Sequence, residues 1–167
     1  MDSALIATVK TKQTEDQWTT MLEESKDVLS ESEAINGLLS LESGAQSICK
    51  TLEAFIQTPA YSRVRMEAIL ALAKISGQEN AYEGLEFLLE FCRSRCFDPK
   101  TTLPKENAFA DMSELLVDQT LPIALGSMRD MDGNTPKEAI DIILQILEYN
   151  NNEGNDFDDS EWICSWL

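Results

Sequence analysis

The sequence has 167 residues, of which 43% are hydrophobic and 26% are charged, and its 30 acidic and 13 basic residues give a net charge of −17. It contains no histidine, which excludes histidine-dependent zinc sites, Ser-His-Asp and Cys-His nucleophiles and histidine-ligated haem within this chain. Because DNA binding depends on neutralising phosphates with Lys and Arg, the negative charge also opposes contact with polyanions and anionic membranes.

Five capping boxes predict where helices begin. Each box combines a short polar side chain with Glu or Gln three positions later, so that the two side chains satisfy free amides of the first turn. The boxes are Thr14 with Gln17, Ser43 with Gln46, Asn80 with Glu83, Asp111 with Glu114, and Thr135 with Glu138. The last is the strongest, because Pro136 would then occupy the first helical position, where its missing donor costs nothing.

Apolar residues at helical spacing accompany these caps. One stripe within residues 43–57 consists of Ile48, Leu52, Phe55 and Ile56, and another within residues 136–149 consists of Ile140, Ile143, Leu144 and Leu147. A further helix follows Thr58-Pro59 and runs from Tyr61 to Ile75. It contains six consecutive apolar residues at 68–73, which predicts neighbouring helices on more than one side.

The remaining segments predict loops rather than strands. No segment alternates strictly between apolar and polar residues, and β-branched residues are sparse. Pro122 predicts a kink or break near Leu121 in the helix over 111–130. Residues 97–110 contain two prolines and predict an ordered loop, and residues 150–159 predict another. The second loop precedes an apolar stub made of Trp162, Ile163, Trp166 and Leu167.

Two patterns that resemble metal sites are better explained without a metal. Cys92 and Cys96 lie one helical turn apart, but they supply only half of a structural zinc shell, so we expect packed or semi-exposed thiols. The alternation of Asp130, Asp132 and Asn134 lacks the glycine and glutamate positions of an EF-hand, and it predicts a tight turn. We therefore expect no metal and no cofactor. With only four cysteines, the chain belongs in a reducing compartment, the nucleus or the cytosol.

A weak internal repeat indicates the fold class. EAINGL at 33–38 and EAILAL at 67–72 are 34 residues apart, a period typical of paired-helix solenoids, although two alanine- and leucine-rich helices could also match by coincidence. No apolar run approaches the roughly 20 residues that span a bilayer, so we expect no membrane contact. We predict an all-α fold, a HEAT/armadillo-like right-handed α–α superhelix of about three helix pairs, with residues 1–167 as a single helical-repeat domain.

The basic residues near the middle of the chain are the candidates for partner binding. They are Arg63, Arg65, Arg93, Arg95, Lys100 and Lys105. For Arg63 and Arg65 we expect mainly intramolecular pairing, with Glu67, Glu86 and Glu90 as candidate acids. Docking of a partner protein is the second interpretation, and nucleic-acid contact is the third because the acidic background opposes it.

Four segments carry a resemblance to a known family. They are QWTTMLEESKDVLSESEAI at 17–35, YSRVRMEAILALA at 61–73, GLEFLLEFCRSRCFDPKTTLPKENAFADMSE at 84–114, and LPIALGSMRDMDGNTPKEAIDIILQILEYNNNEGNDFDDSEW at 121–162. Together they resemble the HEAT-like region of the TBP-associated factor subunit 2 family of the general transcription factor TFIID. The most specific parts are the CRSRCFD…LPKEN loop and the segment from Arg129 to Trp162. The sequence departs from the family at Cys96, where a further arginine would be typical.

The resemblance implies a fragment of a large nuclear subunit whose preceding part is similar to zinc aminopeptidases but is not used as a peptidase. It implies a non-catalytic scaffold that contacts another TBP-associated factor and supports TFIID assembly and RNA polymerase II promoter recognition, with promoter DNA engaged only indirectly or through the parent subunit. Two alternatives stay open. One is the C-terminal helical domain of an active zinc aminopeptidase, which a parent sequence containing His-Glu-x-x-His would indicate. The other is a cytoplasmic helical adaptor.

Overall fold

A computed structural model describes residues 13–42, 44–76, 82–153, 155 and 157–166. These residues form eight α-helices, and the only β-pairing among them is an isolated bridge between Phe97 and Pro104. The helices are α1 (Glu15–Glu24), α2 (Val28–Leu39), α3 (Ala45–Ile56), α4 (Ser62–Ile75), α5 (Tyr82–Cys96), α6 (Met112–Ser127), α7 (Lys137–Tyr149) and α8 (Ser160–Trp166). In this part of the chain, no helix has the length and apolar character needed to cross a membrane.

The helices stack in two rows. Helices α1, α3, α5 and α7 follow one another in one row, and α2, α4, α6 and α8 follow one another in the other. Consecutive helices also pack as pairs, α1 with α2, α3 with α4, and α5 with α6, and the most extensive interface joins α4 to α6. One cluster of buried side chains extends from Trp18 in α1 to Ile146 in α7. The predicted all-α helical-repeat superhelix is thereby confirmed, with three helix pairs followed by α7 and α8.

The internal repeat corresponds to equivalent positions in the stack. EAINGL lies on α2 and EAILAL lies on α4, two adjacent helices of the same row. The matching apolar residues are all at most 2% exposed: Ala34, Ile35 and Leu38 in the first copy, and Ala68, Ile69 and Leu72 in the second. The two segments are alike because each supplies the same buried face to the same layer of the core.

Two predicted caps are formed, one of them only in part. In the box before α1, the Thr14 amide donates to Gln17 Oε1 at 3.0 Å, and the Gln17 amide donates to Thr14 Oγ1 at 3.4 Å. Before α6, the Glu114 amide donates to Asp111 Oδ1 at 3.1 Å, but the Glu114 side chain contacts other helices instead of returning to the cap. Predicted caps at Ser43 and Asn80 lie outside the described residues.

The cap predicted at Thr135 is wrong. Helix α7 begins at Lys137 with Pro136 in the capping position, and no side chain caps it. Thr135 Oγ1 instead accepts a hydrogen bond from Arg129 Nη1 at 2.9 Å. A cap that the sequence did not predict lies before α2, where Asp27 Oδ1 accepts from the Ser30 amide at 3.0 Å. The Thr135 hydroxyl does not cap α7 because it is bound by Arg129 of the preceding turn.

Helix α6 continues through Pro122, so the break predicted near Leu121 is absent. A proline removes one helical hydrogen bond, but most helical stability comes from tertiary packing. Leu121, Pro122, Ala124 and Leu125 are all buried, and α6 contacts helices in both rows. Packing on several sides therefore holds the helix together across the proline.

The loop predicted at 97–110 and the predicted turn are present, and the described residues of 150–159 are also outside helices. In the loop over 97–110, the Asp98 amide donates to the Leu103 carbonyl at 2.9 Å. In the turn, Asp130 Oδ1 accepts from the amides of Asp132 at 2.9 Å and Asn134 at 2.8 Å. The stripe predicted in α7 is only partly buried. Ile143 lies in the core, but Ile140 and Leu144 are 41% and 56% exposed.

Gly37 allows α2 to pack directly on α1. A Cβ atom at this position would lie 2.3 Å from Cδ2 and Cε2 of the buried Trp18 ring. Although alanine favours helix more than glycine, we expect Gly37→Ala to lower the free energy of unfolding by about 1–3 kcal/mol, the usual cost of overpacking. Urea denaturation would measure this change.

Gly126→Ala is the matched control for Gly37→Ala. Gly126 is also helical, but the nearest atom to its Cβ position is Ile143 Cδ1 at 3.5 Å, an ordinary contact. We expect this variant to unfold at the same urea concentration as the wild type or at a higher one. Equal denaturation midpoints for the two alanine variants would contradict the close packing of Gly37 on Trp18.

Candidate functional site

The six basic residues predicted as partner-binding candidates are distributed over different environments. Arg65 is buried and Arg95 is half-buried, and both already bind acidic side chains of this chain. Lys105 binds the end of a helix. Arg93 and Lys100 are exposed, and Arg63 has a side chain that is 79% exposed. The structure therefore brings only part of the predicted set to the surface.

A charged network joins α4, α5 and α6. Arg65 on α4 contacts Glu114 on α6, with Nη1 2.6 Å from Oε1, and its Nε donates to the Ile56 carbonyl at 3.1 Å. Arg95 at the end of α5 contacts the other oxygen of Glu114, with Nη2 2.8 Å from Oε2, and also pairs with Asp118. One carboxylate of α6 therefore binds arginines from two neighbouring helices and fixes their relative positions.

Arg95 is held in its charged form. Burial alone would lower the pKa of its guanidinium, but the hydrogen bonds and negative charges of Asp118 and Glu114 outweigh burial and raise that pKa. The guanidinium also lies over the Phe91 ring, with Cζ 5.6 Å from the ring centroid. Its polar atoms are thus used within the chain, which makes Arg95 a structural residue of the α5–α6 interface.

Lys105 stabilises the end of α5. Its Nζ donates to the carbonyls of Arg95 at 2.7 Å and Ser94 at 3.3 Å, and its amide donates to the Cys96 carbonyl at 2.8 Å. Cations are favourable at a helix C-terminus, where carbonyls lack partners within the helix. The loop over 97–110 is therefore fastened to α5 at its base.

A polar chain connects this loop with α6, α7 and α8. The Gln119 side chain donates to Asn107 Oδ1 at 3.0 Å, and Asn107 donates to Asp159 Oδ2 at 3.0 Å. Asn150 donates to the same Asp159 oxygen at 2.9 Å. Asn107, Gln119 and Asn150 border a cleft of about 220 Å³ between the loop and α6. Part of the wall of this cleft is therefore a network of hydrogen-bonded side chains.

Arg63 and Arg65 differ in how far they are available to a partner. Arg63 pairs with Glu67 one turn later at 3.5 Å, as predicted, and remains largely exposed. Arg65 binds Glu114 instead of the predicted acids Glu67, Glu86 and Glu90. Sequence reasoning missed this acid because Glu114 lies 49 positions away and fits a capping box.

Cys92 and Cys96 agree with the expectation of packed or semi-exposed thiols, since Cys92 is buried and Cys96 is half-buried. The hydrogen bond between the Cys92 and Cys96 side chains raises the pKa of the Cys96 thiol well above its usual value, and burial of Cys96 raises it further. A thiol with a raised pKa is a poor nucleophile and a poor metal ligand at neutral pH. Among the residues that the structure describes, no group of three or more Cys, Asp or Glu side chains could hold a metal ion.

Sequence reasoning also missed Glu31. This residue is only 5% exposed, and its Oε2 atom is buried without a hydrogen-bond partner among the described residues. It borders a separate groove of about 330 Å³ between the first two helix pairs. Nothing in the sequence around Glu31 distinguishes it from Glu33, the exposed glutamate of α2, because the burial of Glu31 depends on how α1 and α3 pack beside it.

Comparison with known proteins identifies similar sequences over nearly the whole chain. A family described as “TAF2-like, TPR repeats” matches residues 15–165. The chain is 29% identical over 161 residues to “Transcription initiation factor TFIID subunit 2” of Gallus gallus, 28% over 166 residues to that of Schizosaccharomyces pombe, and 27% over 163 residues to that of Danio rerio. These alignments cover 95%, 98% and 95% of this chain, but only 14%, 14% and 13% of the relatives. The chain therefore spans about one seventh of their length.

The family description names TPR repeats where the sequence analysis predicted HEAT-like ones. Both are units of two packed helices that bury a core by stacking on neighbouring units. A TPR unit has about 34 residues, the same as the distance between the repeated segments at 33–38 and 67–72. The family description and the two-row stack therefore agree on a paired-helix repeat.

Proposed function

Because the chain belongs to the family of TAF2-like TPR repeats, we propose that it is a region of a nuclear TFIID subunit and acts there as a non-catalytic scaffold. In this role it supports assembly of the complex and RNA polymerase II promoter recognition through protein–protein contacts. The names of the relatives support membership of TFIID, and the matches, which are to a repeat region, indicate no enzymatic domain.

The observation that carries this proposal is the two-row stack with its continuous core. Helices α1 to α7 are each held by neighbours in their own row and in the other row, and the network around Glu114 adds a charged connection between α4, α5 and α6. Stacked helix pairs keep surface side chains in fixed register, which suits extended contact with a partner chain. In this proposal residues 1–167 form one helical-repeat domain, which presents a surface of defined shape to its partners.

The partners that we propose are other TFIID subunits, including a TBP-associated factor. Arg93 and Lys100 are exposed at the end of α5 and in the following loop, and they are the predicted candidates best placed to contact an acidic partner surface. Contact with promoter DNA is indirect in this proposal, because a net charge of −17 opposes binding to phosphates.

Copurification from nuclear extract tests this function in the full-length parent protein. We expect the wild-type protein to recover other TFIID subunits, identified by mass spectrometry, and the combined Arg93→Glu and Lys100→Glu variant to recover them several-fold less. Lys50→Glu with Lys137→Glu is the matched control, since it makes the same charge change at exposed positions of α3 and α7. Recovery of the wild-type protein without any TFIID subunit would overturn the proposed function.

A further inference from the structure

An open groove lies between the first two helix pairs. It has a volume of about 330 Å³ and is formed by the end of α1, the start of α2, the end of α3 and the turn at residues 58–60. Most of its wall is apolar, including Leu22, Phe55 and Pro59, and its only charged lining residues among those described are Glu23 and Glu31. The groove thus combines an apolar wall with negative charge.

Glu31 is the unusual residue in this groove. Its Oε2 is buried without a hydrogen-bond partner, and no described Lys or Arg forms an ion pair with its carboxylate. Burial raises the pKa of Glu31, and the nearby charge of Asp27 raises it further. A buried carboxylate without a partner is unfavourable for the folded chain, and native proteins retain few such groups.

The position of Glu31 in the first turn of α2 does not remove this cost. The helix N-terminus favours negative charge, but the Ser30 amide is already bound by Asp27. A positively charged group entering the groove would supply both the missing donor and the missing countercharge. The net charge of −17 attracts such a group from solution and opposes an anionic one.

An arginine side chain fits these surfaces better than other residues do. Its aliphatic stem can cover apolar walls such as Phe55 and Pro59 while its head reaches the carboxylate. The guanidinium is weakly hydrated and presents paired donors that match a carboxylate. A purely apolar side chain would cover the wall but leave Glu31 without a partner.

We propose that this groove is a docking site for a basic segment of a partner protein, which inserts one arginine side chain to pair with Glu31. The inference rests on the proposed scaffold function, and it adds the chemical nature of one partner segment. The site lies on α1, α2 and α3, apart from the exposed Arg93 at the end of α5 and the exposed Lys100 in the following loop.

Titration of the purified chain with N-acetyl-arginine amide, followed by NMR of backbone amides, tests the site. We expect saturable shifts of the Phe55 and Ala60 signals, and we expect Glu31→Gln to weaken binding at least about 10-fold, because the ion pair with the guanidinium is lost. Glu33→Gln is the matched control, since it removes the same charge from an exposed position of the same helix. We expect it to change affinity less than twofold.

Two further probes distinguish an arginine site from a general acidic surface and from a simple apolar groove. N-acetyl-citrulline amide has nearly the same shape without the charge and is expected to give no saturable shift. Equal weakening by Glu31→Gln and Glu33→Gln would indicate attraction to the acidic surface in general and would overturn the proposal. Equal binding of N-acetyl-norleucine amide would overturn it in favour of the apolar groove.

The folding of the key variant provides its own control. Since Glu31→Gln removes a buried charge without a partner, the variant is expected to melt at the same temperature as the wild type or higher. Lost binding with an intact melting transition therefore reports on the site and not on unfolding. Because the titration uses only the purified chain, its failure leaves the copurification result standing, and failure of the copurification leaves the titration interpretable.

Discussion

Replacing Leu72 with aspartate is expected to unfold the chain at room temperature. Leu72 is 0% exposed on α4, and its Cδ1 would lie 3.0 Å from a Cβ at Gly84 on α5, so the side chain fills the space between these helices. Loss of a buried leucine side chain alone costs about 2–5 kcal/mol, and an unpaired buried charge adds several more. Since small domains are stable by only about 5–15 kcal/mol, we expect the folded population to collapse.

Circular dichroism and urea denaturation would measure this effect. Leu70→Asp is the control on the same helix, because Leu70 is 40% exposed and its replacement places the charge in water. We expect Leu70→Asp to retain the helical spectrum and a cooperative transition. Normal solubility and melting of Leu72→Asp would show that α4 is not enclosed by its neighbours, and the stacked fold would then be wrong.

Glu114→Ala is expected to cause the second largest loss of stability. Among the described residues, it removes the only carboxylate that pairs with Arg65, whose side chain is 8% exposed, and one of the two that pair with Arg95. Breaking a buried ion pair costs about 3–5 kcal/mol, but the Glu114 side chain is 42% exposed and water screens part of the interaction. We therefore expect the free energy of unfolding to fall by about 2 kcal/mol.

Two comparisons isolate the cause of the Glu114→Ala effect. Arg63→Ala removes an exposed arginine from its ion pair with Glu67 and is expected to cost less than about 0.5 kcal/mol. Arg65→Met combined with Glu114→Ala leaves no unpaired guanidinium at this position, so the double variant is expected to be more stable than Glu114→Ala alone. The stability lost in the double variant is compared with the losses in Arg65→Met alone and in Glu114→Ala alone. A loss equal to the sum of these two would contradict a direct coupling of Arg65 and Glu114.

Features that depend on contacts within a few residues could be predicted from the sequence. The Thr14 cap and the turn at Asp130 follow from hydrogen bonds between neighbouring positions, and both are present. The repeated segments at 33–38 and 67–72 also indicate two equivalent helices by their sequence similarity alone. Apolar spacing, capping and repetition are local properties, so one chain is sufficient to identify them.

Other predictions failed where another residue competed for the same group. Glu114 was expected to complete a capping box, but its carboxylate binds two arginines of other helices. Thr135 was expected to cap α7, but Arg129 binds its hydroxyl. In both cases the capping interaction was chemically reasonable, and a charged side chain replaced it. At Glu114 the competing arginines come from two other helices, and at Thr135 the competing Arg129 lies six positions away in the preceding turn.

The sequence by itself determined that the chain is helical, where most helices begin and end, and that helix pairs repeat. Only the tertiary structure decided which side chains are enclosed: Arg65 became a core residue, Ile140 and Leu144 stayed in solvent, and Glu31 was buried beside a groove. The physical reason is that a helix fixes the spacing of its own side chains but not its rotation against its neighbours. Burial and pairing across helices depend on that rotation, which is set only when the whole stack is packed.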